Sequence, residues 1–576
     1  MKRSRLLNRL WEFQNRDGFI SNEAIAEIAQ RLKVSKIEIE GVISFYHFFH
    51  RQPTGKHIIY LNNSIISEYK GFNEVKTAFE KETGCTFGNY NQNTLFSLFE
   101  TSCIGLSDQE PAALIDFYPF TNLTPERVKK IIQKIKNGET IKNLCDNPTS
   151  KIQYTPSENK TIFFRNYEQG KSLKKLNFYC PDETLKVISD SNLAGRGGAF
   201  FPTAQKWKLC KEKNSEHKVI ICNADEGEPG TFKDKSLLER LPGLVLEGMI
   251  IGAYATGAKE GYIYLRAEYK YLVHKIEKAI QNFYSNNLLG NHILGIQNFN
   301  FDIHIQLGAG AYVCGAETAL IESLEGKRGE PRIRKQFPTE FGYLGESTVV
   351  NNVETFAMAA RILELGTEFM SNIGTEMSKG TKILSVSGDV GKPGIYEIEW
   401  GTTIKELLHM KMSQATAPYF VQVSGPSGEC ISPKEFNRKI CKEDLICGGS
   451  VMVFSKFRSI IQILENYTKF FKTESCGSCT PCRAGNQILF DKIKKMKKGI
   501  CTNNDLSQIK ELNNIMKLSS KCGLGQFSVN SFAMAIDKFE DYFKLKTIES
   551  DTFENVEFDM EEAVYSYDKL IKDTQY

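Results

Sequence analysis

Glu474-Ser475-Cys476-Gly477-Ser478-Cys479-Thr480-Pro481-Cys482-Arg483-Ala484-Gly485 places three thiols at two-residue intervals, and a fourth, Cys522, stands much further along the chain. Three thiolates from one turn and a distant fourth can occupy the corners of a compact tetrahedron, which is what a cubane [4Fe–4S] core requires. Gly477 and Gly485 allow tight backbone turns beside it, and Arg483 brings positive charge to an anionic cluster. A tetrahedral zinc site is the other chemistry open to four cysteines, but zinc more often shows two separate C-x2-C knuckles. Cys476, Cys479, Cys482 and Cys522 are therefore read as metal ligands of an electron-transfer centre.

Working outward, helical stripes surround this loop. Ile460, Ile463, Leu464, Tyr467 and Phe471 precede it, Leu489, Ile493 and Met496 follow, and Leu506, Ile509 and Met516 lead to Cys522. Such amphipathic segments predict a helical bundle over 455–546 holding the cluster between helix ends. The 547–576 tail is acidic and reads as disordered or laid on a partner. Before the bundle, 380–454 alternates short strands with one helix, a pattern that suits a β-grasp (ubiquitin-like) unit.

The segment 162–375 has α/β character and glycine-rich loops. Gly195-Arg196-Gly197-Gly198, with Lys206, offers backbone N–H groups and cations to a phosphate. The strand Lys218 to Cys222 runs into Asn223-Ala224-Asp225-Glu226-Gly227-Glu228, where three carboxylates form either a solvated turn or the wall of a ligand cleft. Gly308-Ala309-Gly310-Ala311-Tyr312-Val313-Cys314-Gly315-Ala316-Glu317 is not a Rossmann fingerprint, because Val313 stands where the third glycine belongs. Nor is it a Walker A loop, because Ala316-Glu317 replaces lysine and a hydroxyl residue.

The first 145 residues read as short helices followed by a small thioredoxin-like α/β unit, with Thr124-Pro125 opening its last helix. A polar linker is expected over 146–161. Net charge is +4, too small a field to argue for nucleic acid. No apolar run approaches the roughly 18 residues of a membrane span, since Leu244 to Ala258 is interrupted by Glu247. The fifteen cysteines lack disulfide-like spacing, which points to a reducing, cytoplasmic setting. At 576 residues the chain should divide into several domains, a multidomain α/β protein.

Two resemblances add to this. Gly41-Val42-Ile43-Ser44-Phe45-Tyr46-His47, with Pro53-Thr54-Gly55-Lys56, resembles the 24 kDa subunit family of respiratory complex I, whose [2Fe–2S] ligands would align with Asn62, Ser67, Cys103 and Ser107. One thiol among four positions leads to the expectation of no [2Fe–2S] cluster in the N-terminal domain. The loops of 195–228, 308–318, 329–338 and 350–355, with the four cysteines, resemble the 51 kDa NADH-binding flavoprotein of complex I and its relatives. That resemblance implies FMN held by Gly195 to Gly198, Lys206, Asn223, Asp225, Tyr312, Asn351 and Asn352, with Gly308, Gly310 and Gly315 in the same cradle. Glu226, Glu228, Glu317 and Phe337 would face NADH. The family usually carries a glutamate where this chain has Ala316, which leaves one polar contact in doubt. Fusion of the two parts looks like the diaphorase subunits of soluble NAD-reducing [NiFe] hydrogenases. It implies a module passing hydride between NAD(H) and FMN, and single electrons between FMN and the cluster, with no acid or base side chain required. An iron–sulfur subunit and hydrogenase subunits are the implied partners. An input subunit of complex I or of an NAD-linked formate dehydrogenase, and a zinc-structured nucleotide-binding scaffold without redox activity, are the alternatives.

Overall fold

The computed structural model describes residues 3–90, 94–333, 336–410 and 417–548, so the acidic tail expected over 547–576 lies almost wholly outside the described residues. At the centre is a four-stranded, wholly parallel sheet in the order Asp302–Leu307, Glu260–Leu265, Lys218–Ala224, Ser347–Asn352. Side chains alternate across a strand, so the central one must bury both faces. Ile220, Cys222 and Ala224 face one apolar core, in which Pro242–Thr256 and Val353–Leu365 supply most of the opposing side chains. Gly248 permits this approach, because a Cβ there would collide with the backbone carbonyl of Phe356.

Val219 and Ile221 face the other way, into a core built largely from the first helices of the chain, Leu6–Asp17, Asn22–Leu32 and Lys36–Ile43. Those helices begin and end as their residues dictate. Ser21 and Ser35 accept hydrogen bonds from Ala24 and Glu38 N–H groups, and Gly18 closes the first helix at φ 78°. Leu6, Leu7, Leu10 and Trp11 thus cover the parallel sheet and share a core with Tyr60 and Phe99 of the thioredoxin-like sheet. That second sheet has the order Phe96–Thr101, His57–Asn62, Ala113–Ile115, Tyr118–Phe120, with only its first pair parallel. Helices Phe72–Thr83 and Pro125–Lys136 contribute to the core on its far side, the latter capped by Thr124 with proline in its first turn.

A six-stranded mixed sheet carries Thr381–Gly388, Gly394–Glu399, Pro418–Val423, Glu429–Ile431 and Ser450–Ser455. Its sixth strand, at one edge, is Ile152–Tyr154, so the 146–161 stretch expected as a linker is partly sheet. The physical reason is an unpaired edge on Gly394–Glu399 that the passing chain satisfies in parallel. Helices Ile460–Glu474, Thr480–Lys498, Asn503–Ser519 and Asn530–Lys538 share the last large core. No described helix is long and apolar enough to cross a membrane.

Candidate active site

All four carboxyl ends of the parallel strands deliver chemistry-bearing residues to one region. Asn223 lies at the end of the central strand and Asp225 just after it, Asn351 and Asn352 end its neighbour, Arg266 follows the third, and Gly308 to Tyr312 follow the fourth. Ligands of open parallel sheets sit outside these ends, where loops of adjacent strands diverge. The glycine loop joins them from the side, pinched by a bridge between Ala194 and Pro202. Gly197 lies so near Asn352 that a Cβ would come within 3.2 Å of its side chain, while Gly198, at φ 114°, faces open space.

Lys206 forms an ion pair with Glu317 and donates to the Val350 carbonyl at 2.9 Å. Trp207 holds Asn351 by a 2.9 Å indole hydrogen bond, and Asn223 donates to the Gly315 carbonyl at 2.8 Å. Asp225 keeps one covered carboxylate oxygen, Oδ2, without a partner. Glu228 accepts from the Tyr312 hydroxyl and from the Ser427 N–H at 2.9 Å. An orphaned buried acceptor, an unfilled glycine face and a lysine at the strand ends supply both acceptors and donors, which suits a polar prosthetic group such as FMN.

Several expected site residues turn elsewhere. Arg196 directs its guanidinium inward, to Glu354, to the Thr381 carbonyl and over the Trp400 ring, because buried carboxylate and aromatic partners outcompete an open cleft. Glu226 accepts the Asp234 and Lys235 N–H groups at the start of Lys233–Arg240 and the Tyr269 hydroxyl, and burial pushes it up to about 7. Gly308 and Gly310 are occupied by the N-terminal segment: Trp11 donates to the Gly308 carbonyl at 3.0 Å and His47 to that of Gly310 at 3.0 Å. Phe337 projects from the surface, 63% exposed.

Sequence reasoning gave no role to the buried ion cluster behind the glycine loop. Glu354 pairs with Lys382, with Lys233 at 3.0 Å and with Arg196 at 3.4 Å, while Lys233 also pairs with Asp234 at 2.6 Å. Burial alone would raise Glu354, but the three cations outweigh it and hold the carboxyl at about 2. Lys382 is also pushed down, to about 8, by burial and by the neighbouring cations, which disfavours its charged form. Three cations share two carboxylates, and Lys382 bears the excess.

The four cysteines converge at helix ends. Cys479 precedes Thr480–Lys498, Cys482 lies in its first turn, and Cys522 precedes Gly523–Phe527. Cys482 and Cys522 are buried with Phe470, Phe471, Val313 and Leu524, and Cys476, Cys479 and Tyr312 pack against the same cluster. Ser475 Oγ lies 3.2 Å from Cys482 Sγ, and Asn486 donates to that sulfur at 3.4 Å. Burial raises the Cys482 thiol to about 11, with the other three cysteines contributing. Thiolates crowded in this way need a cationic core to stabilise them. Four sulfurs gathered at helix ends in this way offer the ligand set that a cubane asks for.

Glu474 joins the two sites. It accepts the Tyr312 N–H at 2.9 Å and the Ser102 hydroxyl at 2.8 Å, while the Tyr312 and Phe470 rings meet edge to face at 4.9 Å.

Comparison with known proteins agrees with this geometry. Residues 188–361 match the Nuo51 FMN-binding domain and residues 462–546 the NADH-ubiquinone oxidoreductase-F iron-sulfur binding region. The NAD-reducing hydrogenase HoxS subunit alpha of Cupriavidus necator is 44% identical over 585 residues, covering 100% of this chain and 97% of that protein. The chain belongs to the family of NAD-reducing hydrogenase alpha subunits. The crystal structure of an NAD+-reducing [NiFe]-hydrogenase in the H2-reduced state superposes at TM-score 0.90 with 34% identity, covering 99% of this chain and 97% of that one. The NADP-reducing hydrogenase subunit HndC of Solidesulfovibrio fructosivorans is 38% identical over 66% of this chain and 79% of its own.

The same comparison corrects one expectation. Residues 1–136 match the thioredoxin-like [2Fe-2S] ferredoxin family, which overturns the expectation that this NAD-reducing hydrogenase alpha subunit has no [2Fe–2S] cluster in its N-terminal domain. At the aligned positions, the Asn62 amide bonds to Ser64 at 3.1 Å and to Glu110, Ser67 is buried, and Cys103 Sγ lies 3.5 Å from Ser107 Oγ. This set is poorer in sulfur than four thiolates.

Proposed function

We propose that this alpha subunit is the diaphorase module of an NAD-reducing hydrogenase, an NADH:acceptor oxidoreductase that exchanges hydride with NAD(H) and single electrons with a [4Fe–4S] cluster. The observation that carries the proposal is the contact of Tyr312 with both sites: its hydroxyl binds Glu228 at the strand ends, and its ring and N–H meet the helix leading to Cys476. Bound FMN supplies the hydride acceptor that also releases electrons one at a time. Gly195, Gly197, Gly198, Lys206, Asn223, Asp225, Asn351 and Asn352 hold it, with Gly315 keeping the loop close. Glu228 and Glu317 face the nicotinamide nucleotide. Cys476, Cys479, Cys482 and Cys522 hold the cubane.

The chain's own task is placement and exclusion of water. Lys206 and Glu317 fix each other across the strand ends, Ser427 and Tyr312 orient Glu228, and Phe470 and Phe471 seal the cluster side. The division of labour follows the chain: thioredoxin-like part within 1–145, flavin and NADH part at 162–375, β-grasp unit at 380–454 and helical bundle at 455–546. Electrons then pass to an iron–sulfur subunit and hydrogenase subunits, in a reducing cytoplasm where the cysteines outside the cubane stay free thiols. Anaerobic purification of the native complex tests this. Yellow protein with FMN, iron and acid-labile sulfide that reduces a one-electron dye with NADH is expected, with hydrogenase subunits co-purifying. Colourless protein with stoichiometric zinc would refute it.

A further inference from the structure

A cleft of 1690 Å³ runs between the N-terminal segment, the parallel sheet and the cluster helices. Exposed Asn73, Lys469 and Thr473 stand at its mouth, and Cys103, Arg266 and Asp225 line its depth. Of the residues assigned to flavin and NADH, Asp225, Gly310 and Tyr312 border it, so the cleft adjoins one edge of the nucleotide's seat. His47, deep within it, is nonetheless accessible to solvent. A surface mouth and walls that mix polar with apolar side chains leave room for a path of water.

The proposed reaction needs such a path. NADH gives up a hydride, which is two electrons and one proton, as NADH → NAD+ + 2e− + H+. The electrons leave through the cluster, so one proton per NADH remains and must reach solvent. We propose that Asp225 takes up this proton and hands it to water in the cleft, which is the proton exit of the module. This rests on the flavin reading given above.

Asp225 stands where such a group must stand, at the end of the central strand and on the inner wall of the cleft, with Oδ2 covered and without a partner. Burial pushes its carboxyl up to about 8, so it exchanges protons near neutral pH; Glu268 and Glu474 add to the rise and Arg266 opposes it. The groups facing it from the packed elements are Arg266 and Glu268 beyond the third strand, Glu474 at the cluster loop, and Cys314, Tyr264 and Tyr46. Arg266 is fixed by Glu268 at 2.6 Å and by the Cys103 carbonyl at 2.7 Å, and so stays charged in place beside the path. The N-terminal segment thereby acquires a role, because Tyr46, His47, Ser102 and Cys103 form one wall.

The test uses the FMN- and cluster-loaded protein in weak buffer with a pH dye. NADH and excess ferricyanide are mixed anaerobically while flavin colour and proton appearance are followed together. Asp225→Asn should lower the ratio of flavin reoxidation rate to flavin reduction rate by about a hundredfold, the usual reach of a positioned proton carrier. Proton release should slow with it, acquire a solvent deuterium isotope effect and be restored by added formate. Ser102→Trp fills the cleft from its N-terminal wall and leaves Glu474 with its hydrogen bond from the Tyr312 N–H. It should slow proton release in the same selective way, and it carries the test if Asp225→Asn loses its flavin. The wild-type minus Asp225→Asn infrared difference, recorded without FMN, should contain a protonated-carboxyl band at neutral pH that shifts promptly in D2O, and slowly in Ser102→Trp. Unchanged proton release in flavin-loaded Asp225→Asn, or in Ser102→Trp, overturns the exit while leaving the flavin reading intact. Wild-type protein that binds no FMN overturns the flavin reading itself.

Discussion

Replacing either end of the Glu354–Lys382 ion pair breaks the same contact, yet the two substitutions should differ in cost. Arg196, Lys233 and Lys382 carry three positive charges against the two negative charges of Asp234 and Glu354, all in side chains at most 4% exposed. Lys382→Met removes the excess cation and leaves two of each sign. Glu354→Gln leaves three cations around one carboxylate. Breaking a buried pair costs about 3–5 kcal/mol, so Lys382→Met belongs near 3 and Glu354→Gln near 5 or above. At roughly 2–4 °C per kcal/mol for a domain of this size, the expected losses in Tm are about 6–12 °C and about 10–20 °C. The double variant Glu354→Gln/Lys382→Met restores the wild-type excess of one, so it should be more stable than Glu354→Gln alone. Differential scanning fluorimetry of the four proteins, with FMN content measured in parallel, reads this directly. Equal losses for the two single variants, or a double variant whose loss equals their sum, would refute the charge argument.

Three further outcomes follow from the same geometry. Tyr312→Phe leaves Glu228 short of a buried donor, a loss of about 1–3 kcal/mol, so steady-state kinetics should show the KM for NADH raised roughly 5- to 150-fold. Burial raises Glu110 to about 8 in the folded chain, against Asn62; between its ordinary value and 8 the folded state binds the extra proton, so stability falls as pH rises. Denaturation across pH 5 to 8 should therefore show Glu110→Gln removing a downward slope of about 1.4 kcal/mol per pH unit, and an unchanged slope would contradict the assignment. Cys479→Ser should abolish electron delivery to the native partner while NADH still bleaches the flavin, as measured by anaerobic stopped-flow absorbance.

The gathering of Cys476, Cys479, Cys482 and Cys522 was legible because three of them are spaced within one turn of chain, which survives whatever the rest of the chain does. The strand-end loops were legible for a similar reason, since Asn223, Asp225, Asn351 and Asn352 sit next to their own strands. Side-chain direction was not legible where the deciding partner is distant. Arg196 turns inward because Glu354 and the Thr381 carbonyl lie there, and Glu226 because Lys233–Arg240 starts beside it. Ile152–Tyr154 reads as polar linker until the edge of Gly394–Glu399 appears next to it. Counting thiols at Asn62, Ser67, Cys103 and Ser107 was a weaker guide to the N-terminal segment than its match along 1–136. The apolar stripe of Leu6, Leu7, Leu10 and Trp11 announced a core, but not that the core would be the second face of the flavin-side sheet.

The most direct test is electron paramagnetic resonance of the anaerobic protein after NADH is added, on wild type and Cys479→Ser side by side. The account predicts that flavin bleaching in the wild type is accompanied by a reduced iron–sulfur signal, which the variant lacks although its flavin still bleaches. Bleaching with no iron signal in fully metal-loaded wild type, or the same signal in the variant, would contradict it.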